Sequence, residues 1–337
     1  MRSPVFWWRP RGVLSALLYP FSLLYGYFAD RPFGKGVVPQ IPVLCIGNFV
    51  VGGAGKTPLA IALCERLIKK GQKPVFLSRG YGGQTRGPHL VNAKNDKAEM
   101  VGDEPLLLCQ HAPTVVAADR VAGAEFITST LSADIIIMDD GFQSARIKPS
   151  SSLLVVDHER GLGNGHVLPA GPLRARLATQ MAHADHLFVI QGAPREAEST
   201  HALIDQFRKF DRPVYKARLK PAPNNKSAKS FPAKVIAFSG IGHPNKFFQS
   251  LRESGADLIE EISFPDHHFF TQQEAEQLLE KAEKLNAGLV TTTKDAVRFQ
   301  GRDGALGRLA DSAQIFKVDV VFEDKAAIDE LLSALMP

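Results

Sequence analysis

Residues 42–70 read PVLCIGNFVVGGAGKTPLAIALCERLIKK, and this stretch decides the fold. Val43 to Ile46 form a short apolar run, as expected of a buried strand. Gly47, Gly52, Gly53 and Gly55 follow within nine residues. Leu59, Ile61, Leu63, Leu67 and Ile68 then repeat at helical spacing, with Gly71 placed to end the helix. A strand, a glycine loop and a helix in this order make a phosphate cradle. Glycine lets successive backbone N–H groups turn inward on phosphate oxygens, and the helix start adds partial positive charge. Gly52, Gly53, Ala54, Gly55, Lys56, Thr57 and Pro58 are the expected nucleotide-binding residues. Lys56 is placed to reach the β- and γ-phosphates, and the Thr57 hydroxyl to ligate Mg²⁺. Pro58 suits a first helical turn. The usual pattern has glycine where this chain has Val50. A plain glycine turn is the alternative, and the strand–loop–helix context favours the cradle.

The chain has 337 residues, 45% hydrophobic, which is enough for a large core or two. Its net charge of +5 suits phosphate-bearing ligands or an anionic membrane surface. No nucleic-acid recognition motif is present, and no protein partner is implied. Cys45, Cys64 and Cys109 lie in apolar runs and read as buried thiols, without disulfide or zinc spacing.

Residues 1–33 differ from the rest. Trp7, Trp8, Arg9 and Arg11 precede VLSALLYPFSLLYGYFA (13–29), and Arg31 follows. The apolar run is about as long as the shortest spanning helix, but Pro20 interrupts it. A cleaved signal lacks a small-residue cleavage site near Ala29. A single span, a helix docked on the next domain, and a helix lying in the membrane interface remain. The aromatic content favours the interface.

Further on, strands are expected at 74–78, 114–118, 133–139, 152–157 and 186–192, alternating with helical segments. This pattern predicts a parallel sheet covered on both faces. The division expected is an N-terminal helix (1–33), a phosphate-loop core (34–212), a connection (213–233) and a second α/β unit (234–337). In the last, KVIAFSGIGHPNKFFQSL (234–251) reads as strand, turn and helix. Its GIG lacks the third glycine of a dinucleotide site and is discounted. TQQEAEQLLEKAEKL (271–285) is a helix with a Thr271/Glu274 capping box.

A phosphate loop needs an acid for Mg²⁺ at the end of a neighbouring strand. Asp139 and Asp140, after IIIM, fit that role, one toward the metal and the other toward a metal-bound water or Lys56. Transfer to an alcohol also needs a proton acceptor. Asp103 in VGDEP and His267 in FPDHHFF are candidates. Each also has a plain alternative, a helix cap for Asp103 and a packed imidazole for His267.

GNFVVGGAGKTP, SRGYGG, VGDEP, DDGFQ, RGLGNGHVLPAGPLR and FPDHHFF, in this order, resemble the tetraacyldisaccharide 4′-kinases, the lipid A 4′-kinases of Gram-negative bacteria. The resemblance extends to TTTKDAVR (291–298), and that family also lacks glycine at the Val50 position. It implies two P-loop-type α/β/α domains joined by a short β linker, with an N-terminal membrane-associated helix. It implies ATP and Mg²⁺ as cofactors and an acylated glucosamine disaccharide 1-phosphate as acceptor, at the cytoplasmic face of the inner membrane. Lys56, Asp103 and His267 become the expected catalytic groups; Thr57, Asp139 and Asp140 hold the metal. Arg79, Arg120, Arg174 and Arg176 are candidates for the substrate phosphate. GPLRAR carries Ala175 where the family form has an acid. A nucleotide switch acting through partners, or a soluble ATP-dependent synthetase, are the competing classes; neither uses residues 7–29.

Overall fold

The computed structural model describes residues 4–144, 146–192, 197–222 and 231–336. Its strands are β1 (Val43–Asn48), β2 (Pro74–Ser78), β3 (His89–Leu90), β4 (Thr114–Val116), β5 (Ile135–Asp139), β6 (Ser151–Asp157), β7 (His186–Gln191), β8 (Val214–Pro221), β9 (Val235–Ser239), β10 (Leu258–Ser263), β11 (Gly288–Thr292), β12 (Gln314–Phe316) and β13 (Val318–Phe322). The helices are α1 (Val13–Asp30), α2 (Lys56–Lys69), α3 (Ala98–Val101), α4 (Asp103–Leu108), α5 (Arg120–Thr130), α6 (Leu177–His183), α7 (Glu198–Lys209), α8 (Pro244–Glu253), α9 (Gln272–Leu285), α10 (Thr293–Ala296), α11 (Gly304–Ser312) and α12 (Lys325–Ala334).

Nine strands form one sheet in the order β13-β8-β7-β6-β1-β5-β2-β4-β3, and four form another in the order β10-β9-β11-β12. The strand alternation sorts the larger core. Val43, Cys45, Ile136, Met138 and Val156 face α5 and α7 on one side. Leu44, Ile46, Ile137, Leu153 and Val155 face α2 and α12 on the other. Both faces of its centre are covered, so β1, β2, β5 and β6 are buried along their whole length and largely apolar, as parallel strands require, while β8 and β13 toward one edge are partly exposed. The smaller sheet repeats this: Ile236, Phe238 and Leu289 meet α9 and α11, while Val235, Ala237 and Val290 meet α8. Thr271 and Glu274 form the expected capping box on α9. Ala275 and Leu278 are buried there, whereas Leu285 is exposed.

Two segments depart from the expected division. Val214–Pro221 belongs to the larger sheet as β8, parallel to β7, and is not a free connection; residues 223–230 of the expected arm lie outside the described residues. After β12 the chain returns to the larger sheet. There β13 pairs antiparallel with β8, and Ile328, Leu331 and Leu332 of α12 pack behind α2. Arg66 of α2 reaches the Asp329 carboxylate and the Lys325 carbonyl, so the last helix braces the one that carries the phosphate loop.

The face of α1 turned inward is the polar, small-residue one. Ser15, Ser22 and Gly26 are its buried residues. Ser15 Oγ donates to the Ala170 carbonyl at 2.8 Å, and Ser22 Oγ to the Val167 carbonyl at 2.7 Å. Leu14, Leu17, Phe21, Leu24 and Phe28 are left exposed. No helix among the described residues is long and apolar enough to cross a membrane.

Candidate active site

The cradle lies where β1 ends. Gly52 and Gly55 have φ of +111° and +87°, which a side chain would strain. A Cβ at Gly52 or Gly53 would meet nothing within 4 Å, so the loop borders open space. β5 is the neighbour of β1, with Ile46 opposite Asp139, and this register sets the acids beside the loop. The Thr57 hydroxyl donates to Asp139 Oδ2 at 3.2 Å, and Lys56 Nζ lies 3.7 Å from Asp140 Oδ1.

The two acids therefore sit in different surroundings. Burial and then Glu104 push the Asp139 carboxyl above its ordinary range. Burial also opposes charge on Asp140, but Lys56 and Arg174 outweigh it and draw that carboxyl down to about 2. Asp139 Oδ1 is buried with no hydrogen-bond partner among the described residues. No cluster of three or more His, Cys, Asp or Glu among them forms a ready cation cage. A hydroxyl beside one carboxylate with a spare oxygen fits Mg²⁺, which keeps several waters and shares phosphate oxygens.

Asp103 and His267 meet although 164 positions separate them, with His267 Nδ1 at 3.0 and 3.2 Å from the carboxylate oxygens. Asp103 opens α4, and its Oδ1 accepts from the Glu104 N–H at 2.9 Å, so the cap-like contact and the histidine contact coexist. Burial alone would raise the Asp103 carboxyl. The His267 hydrogen bond, Lys294 and Arg298 outweigh burial and hold it well below the usual carboxylate range. His267 has φ of +59°, a conformation that a non-glycine residue keeps only when its surroundings hold it. Its ring stands edge-on to Tyr81 of the SRGYGG loop, centroids 5.3 Å apart.

The GIG turn discounted as a dinucleotide signal faces the phosphate loop. A Cβ on Gly242 would lie 3.0 Å from Asp266 Oδ2 and 3.7 Å from the Gly53 nitrogen. TTTKDAVR (291–298) closes the family resemblance, but the sequence assigns no role to its Lys294, Asp295 or Arg298. Lys294 Nζ reaches Glu104 Oε1 at 3.0 Å. Burial opposes the Lys294 charge, but Glu104, Asp103 and Asp266 hold its ammonium above the ordinary range.

The four candidate arginines separate into two groups. Arg120 is buried, and Nη1 donates to the Ala117 carbonyl at 2.6 Å, while Nε has no partner among the described residues. Burial and the neighbouring Arg79 charge draw the Arg120 guanidinium down to about 10. The other two are already engaged. Arg174 forks onto Asp140 at 2.6 and 3.0 Å and donates to the Val50 carbonyl at 3.1 Å. Arg176 pairs with Asp30 at the end of α1.

Arg174→Gln is expected to change acid stability. Asp140 stays ionised in the fold below its ordinary 3.8, down to about 2. Its contribution is thus present above 3.8 and lost as pH falls through about 2. Without Arg174 the folded value moves back up, so acid unfolding should set in at a higher pH than in the parent, as read by circular dichroism.

A sequence model of the tetraacyldisaccharide-1-P 4′-kinase family matches residues 14–337. The chain belongs to this family. The tetraacyldisaccharide 4′-kinase of Chelativorans sp. (strain BNC1) is 45% identical over 334 residues, covering 98% of this chain and 95% of that one. The protein of the same name from Brucella canis is 43% identical over 336 residues, covering 99% and 96%. Among solved structures, LpxK from Aquifex aeolicus in complex with ATP superposes with a TM-score of 0.72. It is 27% identical and covers 96% of this chain and 100% of that one.

Proposed function

We propose that this protein transfers the γ-phosphoryl group of ATP to the 4′-hydroxyl of an acylated glucosamine disaccharide 1-phosphate, a step of lipid A biosynthesis. The observation that carries the reading is the Asp103–His267 couple, formed in a chain of this family that also carries a phosphate cradle.

In this reading the amides of Gly53–Thr57 hold the triphosphate, and Lys56 meets the charge that builds on the transferring group. Thr57 and Asp139 would hold Mg²⁺, which would supply positive charge against the phosphate groups. Asp140, drawn low by Lys56 and Arg174, keeps Lys56 directed at the cradle. Asp103 fixes the His267 ring through Nδ1, and the couple accepts the hydroxyl proton. Arg79 and Arg120 supply cationic contacts for the substrate phosphate. The two sheets act as domains that close over the reactants and exclude water.

Residues 13–30 bring this site to its lipid. Each buried CH₂ is worth about 0.8 kcal/mol, so the acyl chains do not leave a bilayer readily. The outward face of α1, with Leu17, Phe21, Leu24 and Phe28, is suited to lie in the headgroup region of the cytoplasmic leaflet. If each leucine is half immersed and contributes about 1 kcal/mol, replacing two weakens partitioning roughly thirtyfold. Flotation with vesicles containing anionic phospholipid should carry the parent protein upward, while Leu17→Glu/Leu24→Glu stays with the dense fraction. Equal flotation of both removes the membrane role of α1.

The activity is tested by incubating the full chain with γ-labelled ATP, Mg²⁺ and the purified disaccharide lipid in mixed micelles. Label is expected on the glycolipid. Label recovered only as inorganic phosphate would favour a nucleotide switch and overturn the proposal.

A further inference from the structure

Lys294, Arg298 and Arg302 recur at four-residue intervals in the unit built on the smaller sheet. They meet a row of acids on α3 and α4 of the larger one. Lys294 pairs with Glu104, Arg298 with Asp103, and Arg302 with Glu99. The central pair differs from the outer two. The Arg298 side chain is 1% exposed and that of Asp103 4% exposed, whereas the outer cations are about a fifth to a quarter exposed.

Every nitrogen of the Arg298 fork is engaged. Nε and Nη2 donate to Asp103 Oδ2 at 3.0 and 2.6 Å. Nη1 donates to Asp295 Oδ1 and to the Gly240 carbonyl, each at 2.8 Å. Asp295 is itself fixed by Ser239 Oγ at 2.9 Å, the Gly240 N–H at 2.9 Å and Thr292 Oγ1 at 2.6 Å. The Gly240 carbonyl also accepts from the His267 N–H at 3.1 Å. One planar group thus grips the Asp103 carboxylate directly, and grips the backbone atom on which His267 hangs.

A fully buried ion pair is a poor stabiliser, because the cost of desolvating two charges offsets much of their attraction. Its value lies in geometry, and a guanidinium fork is pre-organised for that. We infer that Arg298 is a positioning residue for phosphoryl transfer: it locks the Asp103–His267 couple when the two units meet and keeps the Asp103 carboxylate ionised. This rests on the proposed role of that couple. The charged groups facing Asp103 are Lys294, Arg298 and His267, and all three favour its ionised form.

The test compares the parent protein, Asp103→Asn, Arg298→Gln and Arg298→Lys by kcat, KM for ATP and the pH dependence of kcat, with a thermal melt of each. Arg298→Gln removes a buried cation, so the carboxylate takes up a proton more readily and the acid limb of kcat should move to higher pH. Its kcat should fall at least about tenfold with KM for ATP within about threefold, and added guanidinium ion should restore part of it. Arg298→Lys keeps the charge but not the fork. Its limb should stay near the parent's while kcat stays low. An unmoved limb in Arg298→Gln together with no guanidinium rescue overturns the inference. If Arg298→Gln does not fold, Arg298→Lys with a kcat within about threefold of the parent overturns it. A parent that moves no phosphate to lipid takes down the functional reading as well. An active parent, an inactive Asp103→Asn and parental Arg298 variants take down this inference alone.

Discussion

Asp103→Asn is expected to lower kcat at least about a hundredfold, the scale of losing a positioned acid–base group. The substitution keeps the volume but removes the charge and turns one acceptor oxygen into a donor. Its amide nitrogen can no longer accept from Arg298 or from His267 Nδ1, which both point N–H groups at this position. The imidazole then loses the contact that fixes its ring, and Arg298 keeps only Asp295 as a charged partner. Some loss of thermal stability should accompany the change, because a buried cation has lost one of its two counter-charges. The KM for ATP should change little, since the cradle does not include Asp103. Saturating both substrates separates these effects, and a melting curve shows how much folded protein is being assayed. Turnover near the parental value would leave Asp103 a structural role only, as acceptor of the Glu104 N–H and partner of Arg298.

Lys56→Ala should also cost at least about a hundredfold in kcat, with a rise in KM for ATP, because its ammonium is the point charge closest to the transferred group in the proposed reading. The structure makes this a clean experiment. Asp140 does not lose all compensation when Lys56 is removed, because Arg174 still forks onto both its oxygens. The glycines with positive φ and the packing of α2 against the sheet do not depend on the lysine head group. The melting temperature should therefore stay near the parental value while turnover collapses. Measuring nucleotide affinity by calorimetry, alongside kcat, separates weakened binding from weakened chemistry. Parental turnover would remove Lys56 from the reaction.

What was legible in the chain follows the range of the interactions. The cradle lies within one continuous stretch, residues 42–70, and its chemistry is backbone geometry that glycine spacing announces. Asp139 and Asp140 were legible because an apolar strand ending in acids has few places to go beside such a loop. Asp103 and His267 read ambiguously as single residues, and the resemblance to a family is what paired them. Arg298 closes the TTTKDAVR stretch but carried no sign of its role, since a cation four residues after Lys294 looks like a solvated face until the opposing acids are known. The return of β13 was hidden for a similar reason: Val320 pairs with Leu219, and nothing near either residue names the other. The inward face of α1 was also obscured, because an apolar run draws the eye to its leucines, while Ser15, Ser22 and Gly26 make the contacts with the protein.

The chain passes between the two sheets twice, and at the crossing its strands lie side by side, with Val318 opposite Pro221 and the Ala222 N–H bonded to the Lys317 carbonyl. A lone tether lets whatever it carries twist as well as swing. For the proposed domain closure, a doubled one would act like a door on two knuckles, favouring rotation about a single line. In the proposed closure that arc would bring Lys294, Arg298 and Arg302 onto the same three acids each time.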